Sequence, residues 1–132
     1  MFGFSALFGR SREVRRLDDA MRSAGLHPRL VPDAVKIATL KLLKEDGHGT
    51  SPSASVCSLA ADMLAYCLLG DQGFNEENGS RAKKALKNRL EAALDEGDGL
   101  DAHLVLLTLH AGLTQRALIA RYDLSTGYAP QN

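Results

Sequence analysis

Apolar positions recur at helical spacing through nearly the whole chain, and the pattern fails only where glycine or proline interrupts it. From 12 to 24, Val14, Leu17, Met21 and Ala24 form one stripe, with Ser11 placed to cap the helix and Gly25 to stop it. Asp18 and Arg22 stand four apart in the favourable order on its polar side. Pro28 and Pro32 disfavour helical geometry in the residues before them, so 26–31 reads as a connection. Pro32 then suits the first position of a second helix reaching Glu45, with Val35, Ala38 and Leu42 inward and Lys36, Lys41 and Lys44 outward. Ser51 and Pro52 open a third helix over 52–69, whose core side is Val56, Leu59, Ala60, Met63, Leu64, Cys67 and Leu68, and Gly70 ends it. The stretch DQGFNEENG reads as a loop, after which Ser80 caps a fourth helix to about Asp95 with Ala82, Leu86, Leu90 and Ala93 on one side.

The last stretch, LDAHLVLLTLHAGLTQRALIARY over 100–122, is apolar nearly all round and therefore asks to be buried. Its longest run of Leu and Val, 104–107, falls far short of the roughly eighteen apolar residues of a membrane span, so no transmembrane segment is expected. Asp98 or Asp101 can cap this helix, and Gly112 leaves open whether it is continuous. The expected fold is all-α: a single-domain compact bundle of about five helices with short glycine-rich loops, and 52–69 and 100–113 packed at its centre. An apolar arm over 1–10 and an irregular tail over 123–132 flank it.

Composition agrees, with 22 Leu and 18 Ala against only twelve Val, Ile and Thr together. Sixteen basic residues balance sixteen acidic ones, so no global field draws the chain to nucleic acid or an anionic surface. Cys57 and Cys67 are ten residues apart in one expected helix, about 15 Å along its axis and beyond disulfide reach. Two buried thiols suit a reducing cytoplasm, the expected location. In MFGFSALFGRSR the basic residues follow the apolar run, the reverse of a secretory leader.

The candidate chemistry is thin. On one continuous helix His103, His110, Thr114 and Arg121 would fall within about 20° of a line, a polar seam able to wall a small-ligand pocket with Asp62 and Tyr66 opposite. Histidines seven apart cannot share one ion, so neither metal nor cofactor is expected there. Glu45 to His48 is a single Glu-x-x-His where a di-iron bundle needs two, and Glu91, Asp95, Glu96, Asp98 and Asp101 lack the spacing of a calcium loop. Cys57 stands in no nucleophile motif, and the chain leans away from catalysis.

GLTQRALIARYDLS, from Gly112 to Ser125, resembles the first half of a helix-turn-helix, with a Thr-Gln start and Ala117 and Leu118 on the inner face. The resemblance implies a DNA-reading helix after it, but only TGYAPQN follows, so no nucleic-acid partner is expected.

The charge order of the fourth helix is the feature that asks for a function. Arg81, Lys83, Lys84, Lys87 and Arg89 crowd its start and Glu91, Asp95 and Glu96 its end, opposite to what the helix dipole prefers. The expected function is a non-catalytic protein-interaction or regulatory module. Its basic face of Arg81, Lys84 and Lys87 would meet an acidic patch such as 95–101 on a second copy, giving a homodimer. Phe2, Phe4 and Phe8 beside Arg10, Arg12, Arg15 and Arg16 are expected to pack back onto the bundle and cap it; docking of this arm to a partner or a membrane surface is the alternative.

Overall fold

Most breaks in the apolar pattern, Gly112 among them, become turns; Gly70 instead redirects a helix without ending it. The computed structural model describes the backbone of residues 2–125 and the side chains of residues 12–125. Its elements are α1 (Phe2–Ser23), a 3-10 turn (Pro28–Leu30), α2 (Asp33–Asp46), α3 (Ala54–Asn78), α4 (Ser80–Glu96), α5 (Leu100–His110) and α6 (Arg116–Tyr122), with no strand among the described residues. The fold is a single all-α domain, with six helices among the described residues rather than five, because Gly112 takes φ +71° and ends the last apolar helix early.

The first helix begins at Phe2, so the backbone of the expected N-terminal arm is continuous with α1 and Ser11 lies inside the helix rather than at its start. The side chains of Phe2, Phe4 and Phe8, and the tail over 126–132, lie outside the described residues. At its other end α1 closes as expected. Gly25, at φ +83°, donates to Arg22 O (3.0 Å) and Leu26 donates to Met21 O (2.9 Å), the paired bonds of a Schellman motif with Leu26 fully buried. Asp18 turns away from Arg22 into the α1–α2 seam, where it meets Lys36 Nζ at 3.0 Å. Lys36 is only 8% exposed and needs that counter-charge, so α2's expected outward lysine is an inward one. Arg22 pairs with Asp19 in solvent instead (3.3 Å).

Helix α3 is the hub, contacting α1, α2, α4, α5 and α6. Ser53 rather than Ser51 caps it, accepting from Val56 N (3.3 Å), while Ser51 donates to Glu13. It does not stop at Gly70. There the backbone takes φ 81°, ψ 176°, bends, and resumes as helix to Asn78 through the stretch expected as a loop. The expectation failed because a glycine that ends one helical run here only redirects it. The resumed turns bury Phe74 edge-on against Tyr66, with centroids 5.6 Å apart and planes at 82°. Asn78 then donates to Ala24 O (2.8 Å) and ties the end of α3 to the end of α1.

Because it runs through Gly70, Ala54–Asn78 is also long and apolar enough to cross a membrane by length and composition, a test that a buried core helix passes as well. Half of its most apolar window is buried against the other helices. Helix α5, expected at the centre, buries Leu104, Val105 and Thr108 but leaves Leu106, Leu107 and Leu109 partly exposed.

The bend carries a steric condition. A Cβ on Gly70 would lie 2.6 Å from Gln115 Cγ, and the Gln115 amide donates to Cys67 O (2.8 Å), docking the α5–α6 turn on the bend. Gly70→Ala should therefore lower stability by about 2–4 kcal/mol in chemical denaturation, from the positive φ and the overlap together. Adding Gln115→Ala should recover only the overlap share, and a Gly70→Ala protein as stable as the parent would refute this account.

Candidate functional site

Three groups of residues were open to a functional role from the sequence, and the structure treats them differently. The expected polar seam shortens to its two histidines, which stay on one side of α5. His103 and His110 are exposed on α5, which ends at His110, and Thr114 lies beyond the Gly112 turn, buried and donating to Thr108 Oγ1 (3.0 Å). Tyr66 is fully buried, and its hydroxyl donates to Asp71 Oδ1 at 2.7 Å. Burial and that carboxylate push the phenol far above its ordinary value. Asp62 is half-buried, and loss of solvent raises its pKa against the lowering pull of Arg89. None of the four expected pocket residues lines any of the four surface depressions described below.

The thiols are structural. Cys57 and Cys67 are both free and buried in α3; burial raises the first and pushes the second up to about 12. A protonated thiol among apolar side chains is neither nucleophile nor ligand at neutral pH. No cluster of three or more His, Cys, Asp or Glu able to hold a metal occurs among the described residues.

The third group is α4. Leu86, Leu90 and Ala93 are buried against the core, so the opposite face is presented to solvent. At about 100° per residue, Arg81 and Asp95 lie within about 20° of Asn88, Lys84 and Ala92 within about 40°, and Ala85 and Glu91 within about 60°. All seven are exposed. The helix start has no side-chain cap, since Gly79 precedes it at φ 91° where Ser80 was expected to cap. Ser80, Arg81, Lys83, Lys84 and Lys87 line a shallow basic depression of about 500 Å³ there. Lys83 is partly engaged by Asp71 (3.7 Å), whereas Arg81 and Lys84 project into solvent.

The other end of α4 opens on a cleft of about 370 Å³. Leu59, Ala92, Ala93 and Leu100 line it together with Glu96 and Asp98. Leu59, expected in the core, is instead 55% exposed, because the last exposed turn of α4 passes beside it without covering it. Arg89 fixes this end. It forks onto Asp101 through Nε (3.0 Å) and Nη2 (2.8 Å) and donates to Leu59 O (3.0 Å), joining α3, α4 and α5. Asp101 is thus spent within its own chain; Gly99 is the N-cap residue of α5, and Asp98 accepts from the Gly99 amide (2.8 Å). The acidic patch that remains outward is Asp95 and Glu96, with Glu91 held by the Tyr122 hydroxyl at 2.7 Å. Burial first, and that bond second, raise the Tyr122 phenol.

Two further depressions lie elsewhere on the surface. One, of about 450 Å³ between the Gly70 bend and α6, is lined by Asp71, which already holds Tyr66 and lies 3.8 Å from Arg121. The other, of about 380 Å³, lies among α4, α5 and Leu124 and is walled by Leu94, Val105, Leu106 and Leu109. Helix α6 is the short helix resembling half of a helix-turn-helix; it closes with Asp123 in the left-handed region, and what would follow it lies outside the described residues. No known protein family, characterised protein or solved structure matches the chain.

A thiol-specific reagent checks the assignment of the cysteines. At pH 8 both should label no faster than global unfolding allows, and both should label fully in denaturant. Fast labelling of either thiol in the folded protein would return it to the list of reactive groups.

Proposed function

We propose that this chain is a non-catalytic protein-interaction module that presents the exposed face of α4 to a helix of its partner. The observation that carries this is the division of charge along that face, basic at Arg81 and Lys84 and acidic at Glu91 and Asp95, on a helix whose other side is anchored in the core. Within the free chain this order opposes the helix dipole at both ends and costs a few tenths of a kcal/mol to about 1 kcal/mol per charge. A partner helix with the opposite order satisfies both ends at once. Ala85, Asn88 and Ala92 keep the middle of the face low enough for close approach. The buried, protonated thiols and the dispersed histidines give no competing catalytic arrangement.

The recognition predicted is of charge order rather than charge sign. A soluble helical peptide of about four turns, acidic in one half and basic in the other, should bind at least about tenfold more tightly than uniformly acidic or uniformly basic peptides of equal length. Fluorescence anisotropy would read this, and the preference should fade between about 0.05 M and about 0.5 M salt. Equal affinity for all three peptides would overturn the proposal.

A further inference from the structure

We infer that the partner of this face is a second copy of the chain, packed with α4 antiparallel to α4 of its twin about a two-fold axis that passes beside Asn88. The inference rests on the interaction reading above and adds the occupant and its register.

The exposed positions of α4 recur at seven-residue intervals in three rows: Arg81, Asn88 and Asp95; Lys84 and Glu91; Ala85 and Ala92. In an antiparallel pair related by a two-fold axis, a residue at height z along one helix meets residues at the same height on the other, and the axis pairs position i with 176 − i here. Arg81 then faces Asp95 of the second copy, Asn88 faces its own equivalent, and Asp95 faces Arg81. Each side of the contact has its own chemistry. On one, Lys84 comes level with Glu91 of the second copy, within about one residue's rise of about 1.5 Å, and this occurs twice. On the other, Ala85 comes level with Ala92 of the second copy, again twice, and these small side chains allow the axes to approach to about 8 Å.

Four opposite-charge pairs, two alanine pairs and one amide pair follow from a single register. A shift of one turn loses the Arg81–Asp95 pairs, and a parallel arrangement sets Arg81 against Arg81 and Asp95 against Asp95. Asparagine at the axis suits a position that meets itself, because its side chain both donates and accepts. Tyr122 steadies Glu91 from behind and Arg89 steadies the base of the helix, so both halves of the face are held before contact. One helix from each copy makes a small interface, at the low end for specific association, and the dimer is expected at tens of micromolar rather than nanomolar.

The test uses the full chain. Sedimentation equilibrium at about 100 µM should show a monomer–dimer mixture in about 0.05 M salt and at least a tenfold weaker association in about 0.5 M. Arg81→Glu alone and Asp95→Arg alone should each be monomeric, while an equimolar mixture of the two should dimerise, since each then supplies what the other lacks. Their individual melting curves verify that both variants fold. Asn88→Cys, in a chain whose native thiols are buried, should cross-link rapidly to a covalent dimer under mild oxidation. Arg81→Cys should not, because its equivalents sit about 21 Å apart in this register. A monomer at both salts would overturn the second copy as occupant, and binding of the charge-divided peptide would still stand apart from it. A dimer that cross-links at 81 but not at 88, or that ignores Arg81→Glu, would overturn the register.

Discussion

The bend at Gly70 is the constraint on which the remaining geometry rests. A straight α3 would carry Phe74 and Asn78 away from α1 and release α4 in another direction. With φ 81° at Gly70 the helix turns, Phe74 closes on Tyr66, and Asn78 reaches the last carbonyls of α1. Asp71, the residue after the bend, then accepts from Tyr66 and draws Lys83 and Arg121 toward it. The bend is held from outside by Gln115, whose side chain fills the space a Cβ would need and whose amide bonds to Cys67 O. The α5–α6 turn is therefore part of what orients α4, although it lies far along the chain.

The sequence made the helical class plain because leucine, alanine and the 3.6-residue period all point one way. It also located the Gly25 stop, the Gly112 break and the inward face of α4, where local rules and tertiary packing agree. It misjudged places where long-range contacts reverse a local rule. Gly70 has every mark of a helix end, yet the chain resumes beyond it, where Phe74 is buried and Asn78 bonds to Ala24 O. Lys36 reads as a solvent-facing lysine until Asp18 supplies a charge across the helix seam. Leu59 falls on the apolar stripe of α3 yet is uncovered, because periodicity gives a direction but not the reach of the neighbour. The expected seam lost Thr114 and Arg121 for a related reason: a single positive φ at Gly112 takes everything after it out of phase with His103 and His110.

The candidate surface was visible in the sequence only as an anomaly. Charges placed against the helix dipole are a small local fault, and nothing local explains them. The structure adds that the offending residues lie on the exposed side of a helix whose other side is locked down by Leu86, Leu90 and the Arg89–Asp101 fork. A mobile helix could turn such a face inward or fray at its ends. Here those anchors hold the exposed face outward, so its charges are presented in a fixed order.

That face also limits the strength of any contact. Its central residues are Ala85, Asn88 and Ala92, and the larger exposed apolar side chains, Leu59 and Leu94, lie to either side. Small side chains bury little area, about 25 cal/mol for each Å² removed from water, so apolar burial contributes little here. Opposite charges facing one another across a narrow gap contribute mainly to selection of partner and orientation, and salt weakens them readily. An interface built this way trades affinity for discrimination: it rejects a helix in the wrong register through like-charge contacts while holding the right one only as long as concentration and ionic strength allow.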